Sequence, residues 1–207
     1  MHALQCPKTL DSASVLLDSP KPGMDDDEFY EFCQAHPNLR IERTALGEIE
    51  VMAPAGGESS YRSGEAYGQL RSWARRTGTG KSFDSSAEFI LPDRSALAPD
   101  AAWVSNASLS KLSLRDRKKF LKLVPDFVVE VMSPSDRLPA VKNKMELWRR
   151  NGVELGWLID GDAKCVYVYR RGQNKFEKVS GAAGISGEGP VAGFELDLTD
   201  IWAGLDF

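Results

Sequence analysis

Histidine is nearly absent from this chain of 207 residues, with only His2 and His36. A histidine-based zinc site or a Ser-His-Asp triad is therefore not expected. Cysteine is sparse too. Cys6, Cys33 and Cys165 are odd in number and far apart, so they read as reduced, buried or incidental thiols rather than a disulfide framework or metal knuckle. No apolar run reaches the length of a membrane span, and the opening MHALQCPKTLDSAS lacks an apolar signal core. A cytoplasmic protein is the expectation. Nor is there an excess of positive charge. Twenty-six Lys and Arg against 30 Asp and Glu leave a net charge of −4, which argues against strong nonspecific affinity for nucleic acid while leaving room for a local basic patch.

What is present is an ordinary globular composition, 42% hydrophobic and 27% charged, in a chain long enough for one domain with a real core. Residues 1–23, broken by Pro7, Pro20 and Pro22, read as a weakly ordered arm, and 24–207 as a single domain. MDDDEFYEFCQAHP predicts a short helix, its acids placed to suit the positive end of the helix dipole. LRIERTALGEIEVMAP predicts a hairpin turning near Gly47, and ESSYRSGEAYGQLRSWARRTG a helix stopped by Gly78. KSFDSSAEFILPD reads as a strand pair or a bent strand. After it come a short strand at Ala101–Val104, a helix in SDRLPAVKNKMELWRRNG, a strand in VELGWLID and a hairpin in CVYVYRRGQNKFEKVS. In that helix Asp136 is the expected N-cap, and Leu138, Val141, Met145 and Trp148 share one face. The tail GFELDLTDIW adds a strand or a short docked helix. The pattern predicts an α/β fold, a mixed sheet with helices on its faces.

One stretch does not fit an ordinary core. In PDFVVEVMSPSDR, Glu130 lies among Phe127, Val128, Val129, Val131 and Met132. Burying an unpaired carboxylate costs several kcal/mol or shifts its pKa. Asp100 opens the preceding strand. If the two strands are neighbours, both carboxylates reach one face and repel each other unless a cation intervenes. Magnesium suits such a pair, since one or two carboxylates plus waters and phosphate oxygens complete its shell. The helix that follows supplies Lys142 and Lys144, which flank the apolar stripe on either side, so the helical wheel leaves them equivalent. Either is read as mostly solvated, its stem on the core and its ammonium near the sheet edge.

PDAAWVSN, PDFVVEVMSPSD, KNKMELWRRNGVELGWLID and GKSFDSSAEFILPD together resemble the Uma-two family of restriction-endonuclease-like proteins, within the PD-(D/E)XK nuclease superfamily. The resemblance spans roughly residues 25–170. It implies a restriction-endonuclease-like central mixed sheet flanked by helices. It also implies a magnesium-dependent endonuclease that hydrolyses phosphodiester bonds in DNA, with Mn2+ as a possible substitute. Asp100 and Glu130 would hold the metal. The catalytic lysine would sit on the helix rather than on the strand, where Met132 stands, and its match is Lys144. Glu65, in the preceding helix, would hold a second metal or tune the first. A homodimer is expected as well, because cutting both strands of a duplex takes two active sites.

Each residue also has an ordinary explanation. On that reading Glu130 is matched by a buried lysine, Asp100 after Pro99 is a common strand-entry residue, and the helix lysines and Glu65 are ordinary surface charges. Two loose basic groups, one around Arg71, Arg75, Arg76 and Lys81 and the other around Lys111 to Lys122, suit either solubility or phosphate contact. The competing function is a non-catalytic protein of the same fold that binds nucleic acid or a protein partner.

Overall fold

The structure, a computed structural model, describes residues 8–9, 14–17, 21 and 23–206. Most of the expected arm, with Cys6 and His2, lies outside them. Two of its segments are described: β1 (Lys8–Thr9) and β2 (Ser14–Leu17) pair antiparallel, and β2 continues onto β4 (Ile49–Met52).

Helix α1 (Asp26–Ala35) begins where the clustered acids predict. Asp25 and Glu28 form a reciprocal capping box, and Asp26, Asp27 and Glu28 lie in the first turn. The following hairpin, β3 (Arg40–Arg43) with β4, turns at Gly47, whose φ of +85° favours glycine. Strands β3 and β4 belong to a six-stranded sheet that β6 (Phe89–Ile90) and β7 (Ala96–Leu97) close on the far side. Helix α2 (Gly57–Thr77) ends at Gly78, left-handed with φ 66°.

A second six-stranded sheet forms the body of the molecule. Its spatial order is β12 (Glu177–Ser180), β11 (Cys165–Arg170), β10 (Leu155–Asp160), β9 (Phe127–Val131), β8 (Ala101–Ser105) and β5 (Gly80–Asp84). It is mixed: β9 and β10 run parallel, joined by helix α4 (Leu138–Asn151), while the other pairs are antiparallel. The short helix α3 (Asn106–Ser110) follows β8, and a small hairpin of β13 (Gly184–Ser186) and β14 (Glu195–Asp197) leads to α5 (Thr199–Ala203). The tail is thus both strand and helix. KSFDSSAEFILPD is neither a pair nor one bent strand, because β5 and β6 go to different sheets. Among the described residues no helix is long and apolar enough to cross a membrane.

Strand alternation sorts the core into two layers. Phe127, Val129 and Val131 face α2 with Leu70, Trp73 and Trp157, whereas Val128 faces α4 with Met145 and Trp148. Glu130, two residues after Val128, shares the α4 face. Gly152, at φ 109°, stops α4 as expected. At the other end Asp136 is not the N-cap. Arg137 holds that position without a side-chain cap, and the Asp136 carboxylate turns back to accept the Ser133 N–H at 2.8 Å, bracing the preceding turn.

Gly80 marks where β5 is pressed against its neighbour. A Cβ built there would stand 2.4 Å from the Val104 carbonyl oxygen and 2.5 Å from the Trp103 ring. Backbone and a buried indole give little. Gly80→Ala is therefore expected to destabilise the protein by about 1–3 kcal/mol, read as a lower urea midpoint. An unchanged midpoint would mean that β5 is free to move.

Candidate active site

The chain crosses from the N-terminal sheet to the central sheet through Ala98, Pro99 and Asp100, between β7 and β8. A cleft of about 380 Å³ opens at this crossing, lined among others by Arg40, Glu42, Asp100, Glu130 and Lys144. Asp100, half-buried, accepts the backbone N–H of Val131 on its Oδ2 at 2.7 Å. That bond ties the aspartate to the end of the strand carrying Glu130. Glu130 is 6% exposed. Its Oε1 accepts the indole N–H of Trp148 at 2.8 Å and meets the Lys144 ammonium at 3.2 Å.

Lys144 makes two further contacts. Its Nζ lies 3.0 Å from Glu42 Oε1 and 3.1 Å from the Ala98 carbonyl oxygen. Glu42, 2% exposed, also accepts the Ala98 N–H at 3.0 Å. Lys144 is therefore not the mostly solvated charge expected of it. It is a bound cation between two carboxylates, one from each sheet. The wheel's ambiguity resolves in space, because the Lys142 ammonium packs over the rings of Tyr167 and Phe176 at 4.3 and 4.4 Å. The structure thus brings Asp100, Glu130 and Lys144 together. Glu65 is half-buried on α2 and does not line the cleft, although Ser59 and Ser63 of the same helix do.

Glu42 belongs to no motif, and RIER reads only as part of a hairpin. The available clue is alternation: Ile41 faces the α1 core, so Glu42 faces the opposite way, toward Lys144. Glu88, which the motifs do not single out, is 8% exposed, and its Oε1 is buried without a hydrogen-bond partner. Asp84 serves its own turn through Ser86.

Burial and crowding set the charges. Desolvation raises the pKa of Glu130 to about 7 and also raises that of Asp100. Lys144 opposes the rise at both, while the repulsion of Asp100 and Glu42 adds to it at Glu130. Lys144 is subject to the same desolvation, but Glu130 and Glu42 outweigh it and its pKa is raised. The lysine is an ammonium throughout the neutral range. It can place or stabilise negative charge but cannot accept a proton there. Desolvation, with repulsion from Glu42, drives Glu88 to about 9, so it is neutral at pH 7. The Cys33 thiol is pushed up to about 12 by burial and by nearby Glu88, which excludes a thiolate nucleophile.

Among the described residues no three His, Cys, Asp or Glu side chains form a cation cage. Two carboxylates nevertheless suit magnesium, which keeps water and substrate oxygens in the rest of its shell. The electrostatics agree: burial and neighbouring carboxylates disfavour the charged form at both Asp100 and Glu130, and a bound cation would favour it. The bonds described above fall on Asp100 Oδ2 and Glu130 Oε1 and do not engage the second oxygen of either group. The basic groups seen in the sequence are partly spent elsewhere: Lys119 pairs with Asp27 at 3.1 Å and Lys122 with Asp26 at 3.3 Å.

A model of the Uma2 family, described as "putative restriction endonuclease", matches residues 26–199. Among solved structures, a "putative nuclease" of the DUF820 group from Anabaena variabilis is similar at 21% identity, with a TM-score of 0.68, over 86% of this chain and 96% of that one. No curated protein matches the chain.

The raised Glu88 pKa has a consequence for stability. Its folded value, about 9, lies above the ordinary 4.5. The folded state therefore holds a proton that the unfolded state releases, and this contribution is full below about pH 4.5 and lost as pH rises toward 9. Glu88→Gln removes that slope. Denaturation from pH 5 to 9 should show the variant gaining on the parent as pH rises. Parallel curves would mean that Glu88 is ionised in the fold.

Proposed function

Because the chain belongs to the Uma2 family of nuclease-like proteins, we propose that it is a magnesium-dependent endonuclease hydrolysing phosphodiester bonds in DNA. The observation that carries this reading is the convergence of Asp100, Glu130 and Lys144 at one end of the central sheet. Asp100 and Glu130 would hold the ion, with manganese as a substitute. When bound, such an ion lowers the pKa of its water and offsets phosphate charge.

The chain's own residues do the rest. The Val131 N–H and the Trp148 indole fix one oxygen each of the two carboxylates, so these enter the site already oriented. Lys144, held as an ammonium by Glu42 and Glu130, orients the attacking water and stabilises the charge that gathers on the phosphoryl oxygens. Glu42 takes the place beside the lysine and keeps its ammonium at the cleft wall. We assign Glu65 no direct contact with the reacting groups. Two copies of the chain would cut a duplex with two sites, and light scattering at micromolar concentration should give a dimer mass.

Plasmid cleavage with magnesium tests the assignment. Asp100→Ala should abolish it, and cleavage surviving that substitution would remove Asp100 from the site. Lys144→Ala should lower the chemical rate by on the order of a hundredfold. It should also cost on the order of 3 kcal/mol of stability, since it strips the partner from buried carboxylates, so rates belong well below its melting temperature. Lys142→Ala should lose at most about 1 kcal/mol of cation–π contact and keep the parent rate. A reversed order between the two lysines would contradict the geometry. A parent that binds DNA but never cuts it, with either metal, would establish the non-catalytic alternative.

A further inference from the structure

Among the described residues three cations line or border the cleft, and they differ in what they are already doing. Lys144 is held by two carboxylates and a carbonyl. Arg43 is fully occupied. Its guanidinium donates to the Arg94, Met24 and Asp25 carbonyls, pairs with Asp26 at 2.7 Å and stacks over Phe29 at 4.7 Å. Arg40 is different. It opens β3, two residues before Glu42, so strand alternation turns both toward the cleft while Ile41 and Arg43 turn toward α1. Its Nε is buried and has no hydrogen-bond partner. Among the described residues Arg40 has no ion-pair partner, yet its charge acts on Asp100 and Glu88. Buried guanidinium donors without acceptors are costly, and strand packing retains this one at the cleft wall.

We propose that Arg40 is the phosphate-binding residue of the cleft, gripping a nucleic-acid phosphodiester beside Asp100 and Glu130 through its terminal N–H groups. The guanidinium fork matches two phosphoryl oxygens, which an ammonium cannot. Its side chain belongs to the N-terminal sheet, whereas Asp100 and Glu130 belong to the central one, so substrate would bridge the two sheets across the crossing at Ala98. This inference rests on the nuclease reading but names a contact that the reading does not need.

The test is nitrogen-15 NMR of the Arg40 Nε–H in the metal-free protein, identified by its loss in Arg40→Lys. Inorganic phosphate and a short DNA duplex are titrated separately. In parallel, duplex binding is measured with calcium in place of magnesium for the parent, Arg40→Met and Arg40→Lys at several salt concentrations. The expected result is a shifted Nε–H signal with both ligands. Arg40→Met should lose about tenfold in affinity, with a salt slope lower by about one, and should melt close to the parent. Arg40→Lys should fall between the two. A signal that moves with phosphate, in a protein that neither binds nor cuts DNA, would keep the anion site and overturn the nuclease reading. A signal unmoved by either ligand, with Arg40→Met binding DNA like the parent, would overturn the proposal even if the protein cuts DNA. If Arg40→Met fails to fold, Arg40→Lys decides, and parent affinity in that variant overturns the proposal.

Discussion

Lys144 is the one side chain on which the arrangement depends. Its ammonium meets Glu42 from the N-terminal sheet, Glu130 from the central sheet and the Ala98 carbonyl from the segment that joins them. Remove it, and two carboxylates that are almost wholly buried face each other without a counter-ion. Such a cluster is weak support for stability as such, since well-packed apolar residues often do as well. Its value lies in what it fixes. The helix bearing Lys144, the hairpin bearing Glu42 and the strand bearing Glu130 are held in one register relative to one another.

That register explains why the candidate site lies at a crossing between sheets rather than within one. The central sheet alone supplies Glu130 and, through the Val131 N–H, a fixed Asp100. It supplies no cation at their level. The N-terminal sheet brings Glu42 to hold the lysine and Arg40 to face the cleft. The large aromatic core beneath, with Phe127, Trp157 and Phe194 in mutual contact, makes the strand ends stiff enough for distances of about 3 Å to be meaningful.

Most of the elements were legible in the sequence because their signals are local. Acids before Phe29, Gly47 in a turn, Gly78 and Gly152 at helix ends, and an unbroken apolar run in β9 each speak through nearby residues. The mixed sheet follows from them, but a second six-stranded sheet does not, because β5 and β6 are separated by only a few residues and nothing local says they part. The site was half legible. Glu130 stood out because a carboxylate in a buried strand needs a reason. The choice between Lys142 and Lys144 was hidden, since a helical wheel records which face a residue takes and not which partner waits there. Glu42 was hidden for the same reason: on a short polar hairpin strand, only the tertiary partner distinguishes an inward carboxylate from an outward one. Asp136 looked like a cap from spacing alone, but the Ser133 N–H was nearer.

Lys144 is what keeps Glu130 ionisable in a buried strand. A carbon-13 carboxyl titration of Glu130 in the metal-free protein, parent against Lys144→Met, reads this interaction alone. The parent should titrate near pH 7, since desolvation and the neighbouring carboxylates are opposed by the lysine. With the ammonium gone, desolvation and the repulsion of Asp100 and Glu42 act unopposed, and the midpoint should move clearly above that of the parent. A Glu130 midpoint unchanged by Lys144→Met would mean that Lys144 does not set the charge of Glu130.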